Sequence, residues 1–397
     1  MRTKWLIGAV AVAVAAALGV AVMRLYPALR PALGPPPADI GREIEAAPTG
    51  TAPESETVAG PLRLPAGFRL SVVAEGVPGA RVMAFDPDGN LWVSQTRSGS
   101  LTKLAPAAGK FVVAASYGGF KNPHGLAFDP KNPRLLYLAE ETRIRRTSID
   151  GEPKWEHVVD LPPGGRHVTR TIAFDRDGKL YVVVGSTCDV CIEKDPRVSK
   201  VHVVENGGLK EFARGLRNAV FIAFQPATGK LWATEMGRDN LGDDLPPDEI
   251  NVIEEGKNYG WPICYGRNIH DGAFDKNTYI RNPCLEPFET PSRIDLQAHS
   301  APLGLAFAPA SWPAEYRGDL FVAFHGSWNR RAPTGYKVVR IRLDDRGESE
   351  GVDDFVSGWL TADGQALGRP VDIVFGSDEA MYISDDKAGV IYRVTAK

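Results

Sequence analysis

The chain has 397 residues, 43% of them hydrophobic and 24% charged, with 41 glycines and 31 prolines. This is a globular composition rich in turn formers, which excludes a disordered or fibrous chain. A net charge of −3 leaves no basic footprint for nucleic acid.

Arg2, Lys4 and Arg24 bracket an uncharged run from Trp5 to Met23, WLIGAVAVAVAAALGVAVM. At ~1.5 Å per residue this run nearly matches the ~30 Å hydrocarbon core of a bilayer. A secretory signal peptide has the same appearance. Residues 1–26 therefore read as a single membrane anchor or a cleaved signal. Both place the remainder outside the cytoplasm, in a periplasmic or similar space. Residues 27–60 are rich in Pro, Ala, Gly, Thr and Glu. They hold too little apolar surface to order themselves and read as a tether.

From Pro61 to Lys397 one pattern recurs. An apolar strand ends in Ala-Phe or a close variant, a turn follows, and a second strand carries an aromatic. The copies are VMAFDPDGNLWVSQ, GLAFDPKNPRLLYLAEE, TIAFDRDGKLYVVVGS, FIAFQPATGKLWATE, GLAFAPASWPAEYRGDLFVAFHG and DIVFGSDEAMYISDD. Pro-Asp-Gly, Arg-Asp-Gly and Thr-Gly-Lys mark the turns, where glycine supplies the positive φ. Six copies at roughly 56 residues each approach the ~40–50 residues of a four-stranded propeller blade. No long segment of helical period interrupts them. The expected fold is all-β, a six-bladed β-propeller in one domain over 61–397. A pair of β-sandwiches would not need six matching hairpins. The interval lengthens after Ala223 and again after Ala306, which places insertions on the rim. The first, from Met236 to Cys284, is dense in carboxylates, Gly and Asn, as suits an ion site or a lid.

In a propeller the residues just before each inner strand converge on one funnel. Here they are Arg81, then Asn122 and His124, His167 and Arg170, Arg217 and Asn218, His299, and Arg369. Guanidinium forks pair with carboxylates, so this ring suits a planar, multiply anionic ligand. A histidine beside such a ligand is a natural general base. A calcium-dependent lactonase would instead want carboxylates and Asn at these positions. A non-catalytic binding propeller is the third reading. No GxGxxG opens a helix, so a nicotinamide or flavin fold is not supported.

Four cysteines in an exported chain point to disulfides, expected as Cys188–Cys191 and Cys264–Cys284. A zinc site built from all four cysteines does not suit the wide spacing of the second pair. CDVCI lacks the histidine of a haem-attachment motif, so the chain carries no haem of its own. Trp328, in GSWN, reads as a packed loop aromatic rather than a sugar platform.

RHVTRTIAFDRDGKLYVVVGS, GLRNAVFIAFQPATGKLWATEMGRDN, GKNYGWP and HGSWNRR resemble the soluble pyrroloquinoline-quinone-dependent sugar dehydrogenases. That group includes the aldose sugar dehydrogenases and the glucose/sorbosone dehydrogenases. CDVC, with HGSWNRR and GDDLPPDEIN, is most similar to the sorbosone-dehydrogenase-like branch. The resemblance covers nearly all of 61–397. It implies a quinoprotein oxidising an aldose-type sugar or a sorbosone-like aldehyde, with pyrroloquinoline quinone and Ca²⁺ as cofactors and, in the absence of a haem, electrons leaving to a separate acceptor, a cytochrome or the quinone pool. His167 would be the base, with Arg170 beside it. Arg217, Asn218, His124 and Arg369 would face the cofactor. The backbone carbonyls of Gly237 and Arg238 would bind Ca²⁺, with Asp239 beside them. Glu249 and Tyr259 match positions near a second, structural calcium. The family's fifth-blade lysine has no counterpart, and His325, Arg330 or Arg331 would replace it. Two features depart from the pattern. A Gly-Asp that orients the histidine is Gly185-Ser186 here, leaving Ser186 or Asp189 for that task. The arginine after the histidine comes one position early, at Arg170, with Thr171 in its usual place.

Overall fold

The computed structural model describes residues 56–59, 61–285 and 287–397. The expected anchor or signal at 1–26 and most of the tether at 27–60 lie outside the described residues. Among the described residues no helix is long and apolar enough to cross a membrane.

Six four-stranded antiparallel sheets make up the body. Their innermost strands are Met83–Phe85, Leu126–Asp129, Ile172–Phe174, Ala219–Phe224, Pro302–Phe307 and Pro370–Phe375, numbered here as blades 1 to 6. Each inner strand touches those of the two adjacent blades, and blade 6 meets blade 1, so the ring is closed. The repeat has a direct structural meaning. In every blade the Ala-Phe mark pairs with the second-strand aromatic: Ala84 with Trp92, Ala127 with Tyr137, Ala173 with Tyr181, Ala223 with Trp232, Ala306 with Phe321 and Val374 with Tyr382.

The aromatic then reaches the following blade. Tyr137 meets Phe174 at 5.0 Å, Tyr181 meets Phe224 at 5.2 Å, Trp232 meets Phe307 at 5.5 Å, and Tyr382 meets Phe85 at 4.9 Å. All four pairs are edge-on, and each partner is the phenylalanine of the next Ala-Phe mark. Such pairs contribute ~0.5–1.5 kcal/mol beyond the area they bury. The motif thus encodes the contact between blades as well as the hairpin within one.

One strand has no mark and completes the ring. Phe68–Ala74 pairs with Val390–Ala396 and forms the outer strand of blade 6. The first strand of the domain therefore closes on the last, which removes the free edge of an open sheet stack. Both expected disulfides form, Cys188–Cys191 and Cys264–Cys284. The long insertion of blade 4 adds a small hairpin, Cys264–Tyr265 with Ile269–His270.

Candidate active site

Inner strands begin, and second strands end, at the same end of each blade. The funnel wall therefore comes from two sets of loops, before the first strand and after the second. His167 stands before the inner strand of blade 3, and Ser186 follows its second strand, Leu180–Val184. Gly185 between them has to be glycine. A Cβ there would lie 2.9 Å from Asn218 Oδ1 and 3.0 Å from His167 Cβ. The missing methyl lets His167 and Asn218 approach each other.

His167 Nδ1 lies 2.9 Å from both the carbonyl oxygen and the hydroxyl of Ser186. The Ser186 hydroxyl donates to Cys188 O at 2.7 Å, so its oxygen is left to accept from Nδ1–H. Both contacts fix the proton on Nδ1. Nε2 then carries the lone pair and has no protein partner among the described residues. Burial, and next the positive charge of Arg217, push the imidazole down to about 3. It is neutral at physiological pH, the form a base needs.

Arg217 comes from the GLRN loop. Its Nε donates to Asp189 O at 2.8 Å, Nη2 to Asp189 Oδ1 at 2.6 Å, and Nη1 to Met236 O at 3.1 Å. A guanidinium has five donors; Nη2 also faces Asp239 Oδ2 at 3.6 Å, which leaves one Nη1 hydrogen without a protein partner among the described residues. Asn218 N–H donates to Glu235 Oε1 at 2.8 Å. Glu235 Oε2 is buried without a partner. It lines a small cavity together with Arg217, Gly237, Arg238, Glu249 and Tyr259. The carbonyls of Gly237 and Arg238 accept no hydrogen bond among the described residues. Two free carbonyls beside an orphaned carboxylate oxygen are hard donors of the kind Ca²⁺ prefers. Burial pushes Glu249 up to about 7. Its oxygens accept from Gly266 N–H and Asn251 Nδ2. The Tyr259 hydroxyl donates to Val252 O at 2.5 Å, which leaves that phenol a structural role.

Several predicted residues face elsewhere. Arg170 is fully buried, and its guanidinium donates to the carbonyls of His167, Thr169 and Pro162. It braces the loop that carries His167 and does not reach the funnel. His124 is fully buried against Phe221, with Nδ1 on Thr171 Oγ1 at 3.2 Å. Asp239 offers no open carboxylate to a metal, because Arg166 and Asn329 donate to its two oxygens. Arg330 and Arg331 turn to the blade 4 loop and bind Asp243 and Asp244. His299 donates from Nε2 to Gly242 O at 2.8 Å and pins the same loop. Trp328 is 52% exposed, so it is not the packed loop aromatic expected.

Across the funnel lies a second cluster. Arg369 donates to the carbonyls of His325 and Gly326 and lies over the Tyr336 ring at 5.5 Å. His325 Nε2 is 3.0 Å from Asp386 Oδ1, and Arg81 Nη1 donates to Asp386 Oδ2 at 2.8 Å. Asp386, Glu235 and Asp189 lie outside the strand-entrance loops that the repeat singles out. The signal that finds them is position: Glu235 ends its second strand, and Asp189 and Asp386 follow theirs, where the loops re-enter the funnel.

Comparison with known proteins fits this geometry. A family model described as TrAA12-like matches residues 62–397. An uncharacterized protein of Borreliella burgdorferi is 31% identical over 364 residues, covering 86% of this chain and 92% of that protein. A pyrroloquinoline quinone-dependent pyranose dehydrogenase of Coprinopsis cinerea is 32% identical across 83% of this chain, which spans about half (54%) of that relative. Among solved structures, a calcium structure of a Trichoderma reesei family AA12 carbohydrate-active enzyme superposes with a TM-score of 0.70. It is 21% identical and covers 87% of this chain and 99% of its own.

Proposed function

The chain belongs to the TrAA12-like family, and on that premise we propose that it is an extracytoplasmic quinoprotein dehydrogenase. It oxidises an aldose-type sugar or a sorbosone-like aldehyde and passes the electrons to a separate acceptor. The observation that carries this reading is the state of His167. The ring is neutral, its proton is fixed on Nδ1 by Ser186, and Nε2 is left open beside Arg217.

The residues fit the cofactors. The remaining Nη1 hydrogen of Arg217 and the unused guanidinium hydrogens of Arg369 would hold anionic carboxylates from opposite sides. The carbonyls of Gly237 and Arg238, with Glu235 behind them, would hold Ca²⁺. When bound, pyrroloquinoline quinone supplies a two-electron acceptor and Ca²⁺ a Lewis acid that polarises it. His167 Nε2 takes the proton of the substrate hydroxyl. Ser186 keeps the ring in the receiving orientation, and Asn218 sits at the histidine's flank through the space Gly185 leaves. A positioned base of this kind contributes ~10²–10⁴ in rate.

The test is spectroscopic. The chain is loaded with pyrroloquinoline quinone and Ca²⁺, and the cofactor spectrum is recorded before and after a panel of aldoses and aldehydes. Bound cofactor that becomes reduced supports the reading and begins to name the substrate. Failure to bind the cofactor at all would overturn it.

A further inference from the structure

Cys188 stands two residues beyond Ser186, the partner of the base, and is bonded to Cys191. We infer that the Cys188–Cys191 disulfide is the positioning device of the blade 3–4 side of the site, acting on Arg217 through Asp189 and on His167 through Ser186. This rests on the function proposed above and adds residues to it.

The disulfide closes a four-residue loop, Cys188–Asp189–Val190–Cys191, and both cysteines are half-buried. Each polar group of that loop nearest the site is engaged. Cys188 O accepts the Ser186 hydroxyl at 2.7 Å and so turns the serine's lone pair toward His167 Nδ1. Asp189 accepts Arg217 twice, at its carbonyl and at Oδ1. The same Oδ1 accepts Asp239 N–H at 2.9 Å, which ties the start of the blade 4 loop to the disulfide loop. Glu193, just beyond the second cysteine, holds Thr187 through N–H at 2.6 Å and Oγ1 at 2.7 Å. Gly165 lies on Thr187 so closely that a Cβ would stand 2.4 Å from its carbonyl oxygen. The loop bearing the base therefore rests on the loop the disulfide closes. Cys188, Cys191 and Glu193 are near enough together to suggest a metal site. The sulfurs bond each other and Glu193 caps Thr187, so the cluster's role is mechanical.

An uncrosslinked four-residue loop has many conformations, and the disulfide removes most of them from the folded chain. Without it, Asp189 would still carry its charge but would not be held at the two Arg217 donors. Both residues position others, and neither touches substrate.

Three full-length variants test this: Cys188→Ala/Cys191→Ala, Asp189→Ala and the triple variant. The first readout needs no cofactor. It is the hydrogen-exchange rate of the Arg217 Nε–H, with the His167 Nδ1–H resonance beside it. Losing a hydrogen bond from a charged group corresponds to about tenfold or more, so exchange at Arg217 Nε–H should accelerate by at least ~tenfold in the double-cysteine variant and change little in Asp189→Ala, which keeps the carbonyl that Nε–H bonds. Affinity for pyrroloquinoline quinone should fall by a similar factor in each. At Arg217 Nε–H the triple variant should match the double-cysteine variant, because that bond runs to the Asp189 carbonyl and not to its carboxylate. Wild-type exchange at Arg217 Nε–H in the double-cysteine variant would overturn the proposal. Should that variant not fold, the disulfide is opened in the folded wild-type chain with a water-soluble phosphine. The phosphine is oxidised to its oxide with oxygen from water as the two thiols form, and the same exchange rate is read. A wild-type chain that binds no quinone would count against the proposed function, while the exchange experiment would still decide this inference.

Discussion

Two walls of one funnel use the same residue types to opposite ends. On the blade 3–4 wall, His167 leans on a serine hydroxyl and a carbonyl, both uncharged, and keeps one ring nitrogen open. On the wall of blades 5, 6 and 1, His325 leans on Asp386, whose other oxygen already holds Arg81. The first arrangement leaves a lone pair facing the funnel. The second closes a network in which the carboxylate is held down to about 2, against its own burial, by the hydrogen bond and charge of His325 and by Arg81. Burial pushes both histidines down, to about 3 for His167 and about 4 for His325. Depressed basicity alone therefore does not distinguish a base from a brace. The neighbour's charge does, together with which nitrogen it leaves free, Nε2 in His167 and Nδ1 in His325.

The largest expected effect breaks this comparison most directly. His167→Ala should lower kcat by ~10²–10⁴, the usual contribution of a general base, while cofactor affinity changes little. His325→Ala should lower kcat by less than about tenfold and cost roughly 1–2 kcal/mol of stability, because Asp386 loses a buried hydrogen bond. Steady-state turnover and thermal unfolding of the two variants decide it. Equal losses of turnover would mean that the two walls share the chemistry.

The next effect concerns the ion. Gly237→Ala would put a Cβ 2.7 Å from Pro246 Cγ and 2.8 Å from Pro247 O. A backbone oxygen cannot move aside as a flexible side chain would, so the Gly237 peptide must shift and take its carbonyl with it. Calorimetric titration with Ca²⁺ alone should show affinity at least ~tenfold weaker, the equivalent of one lost ligand contact of about 1.4 kcal/mol. Unchanged affinity would place the ion elsewhere on the wall.

This contrast also marks what the sequence could say. The repeat was legible because register and interblade packing are written in the same residues, an Ala-Phe mark and an aromatic. The pre-strand residues were legible because a propeller brings them to one axis. His167, Arg217 and Asn218 stand at the funnel wall as that logic requires. The other half of the wall was less legible: Asp189 stands out only through the resemblance, as a stand-in for the missing Gly-Asp, while Glu235 at the end of its second strand and Asp386 just past its own carry no mark. Position also failed to fix direction. Arg170 lies in the right loop, yet the carbonyls of His167, Thr169 and Pro162 compete for its guanidinium and win. Family resemblance turns Arg330 and Arg331 toward the funnel, but the Asp243-Asp244 pair, in plain view in the sequence, offers a nearer partner. Phe68–Ala74 alternates as a strand should, but without the mark it did not count as part of a blade.

The smallest expected effect sharpens the comparison, because it makes one wall imitate the other. Ser186→Asp would place a carboxylate at His167 Nδ1, as Asp386 stands at His325. A carboxylate favours the imidazolium and raises the histidine pKa. In the wild type the folded pKa of about 3 lies below the ordinary 6.5. Between those values the unfolded chain binds more protons than the folded one, so His167 subtracts stability as pH falls from about 6.5 towards 3. The variant should recover part of that loss at acidic pH and gain nothing at neutral pH, where both states are deprotonated. The activity change has the opposite use. The acid limb of the kcat/KM profile, where the base becomes protonated, should move to higher pH than in the wild type, with the plateau changed by less than about tenfold. The carbonyl of Ser186 remains to hold Nδ1–H, so the tautomer survives the substitution. A limb that does not move would mean that Ser186 has no electrostatic hold on the base, and that burial and Arg217 alone set its protonation.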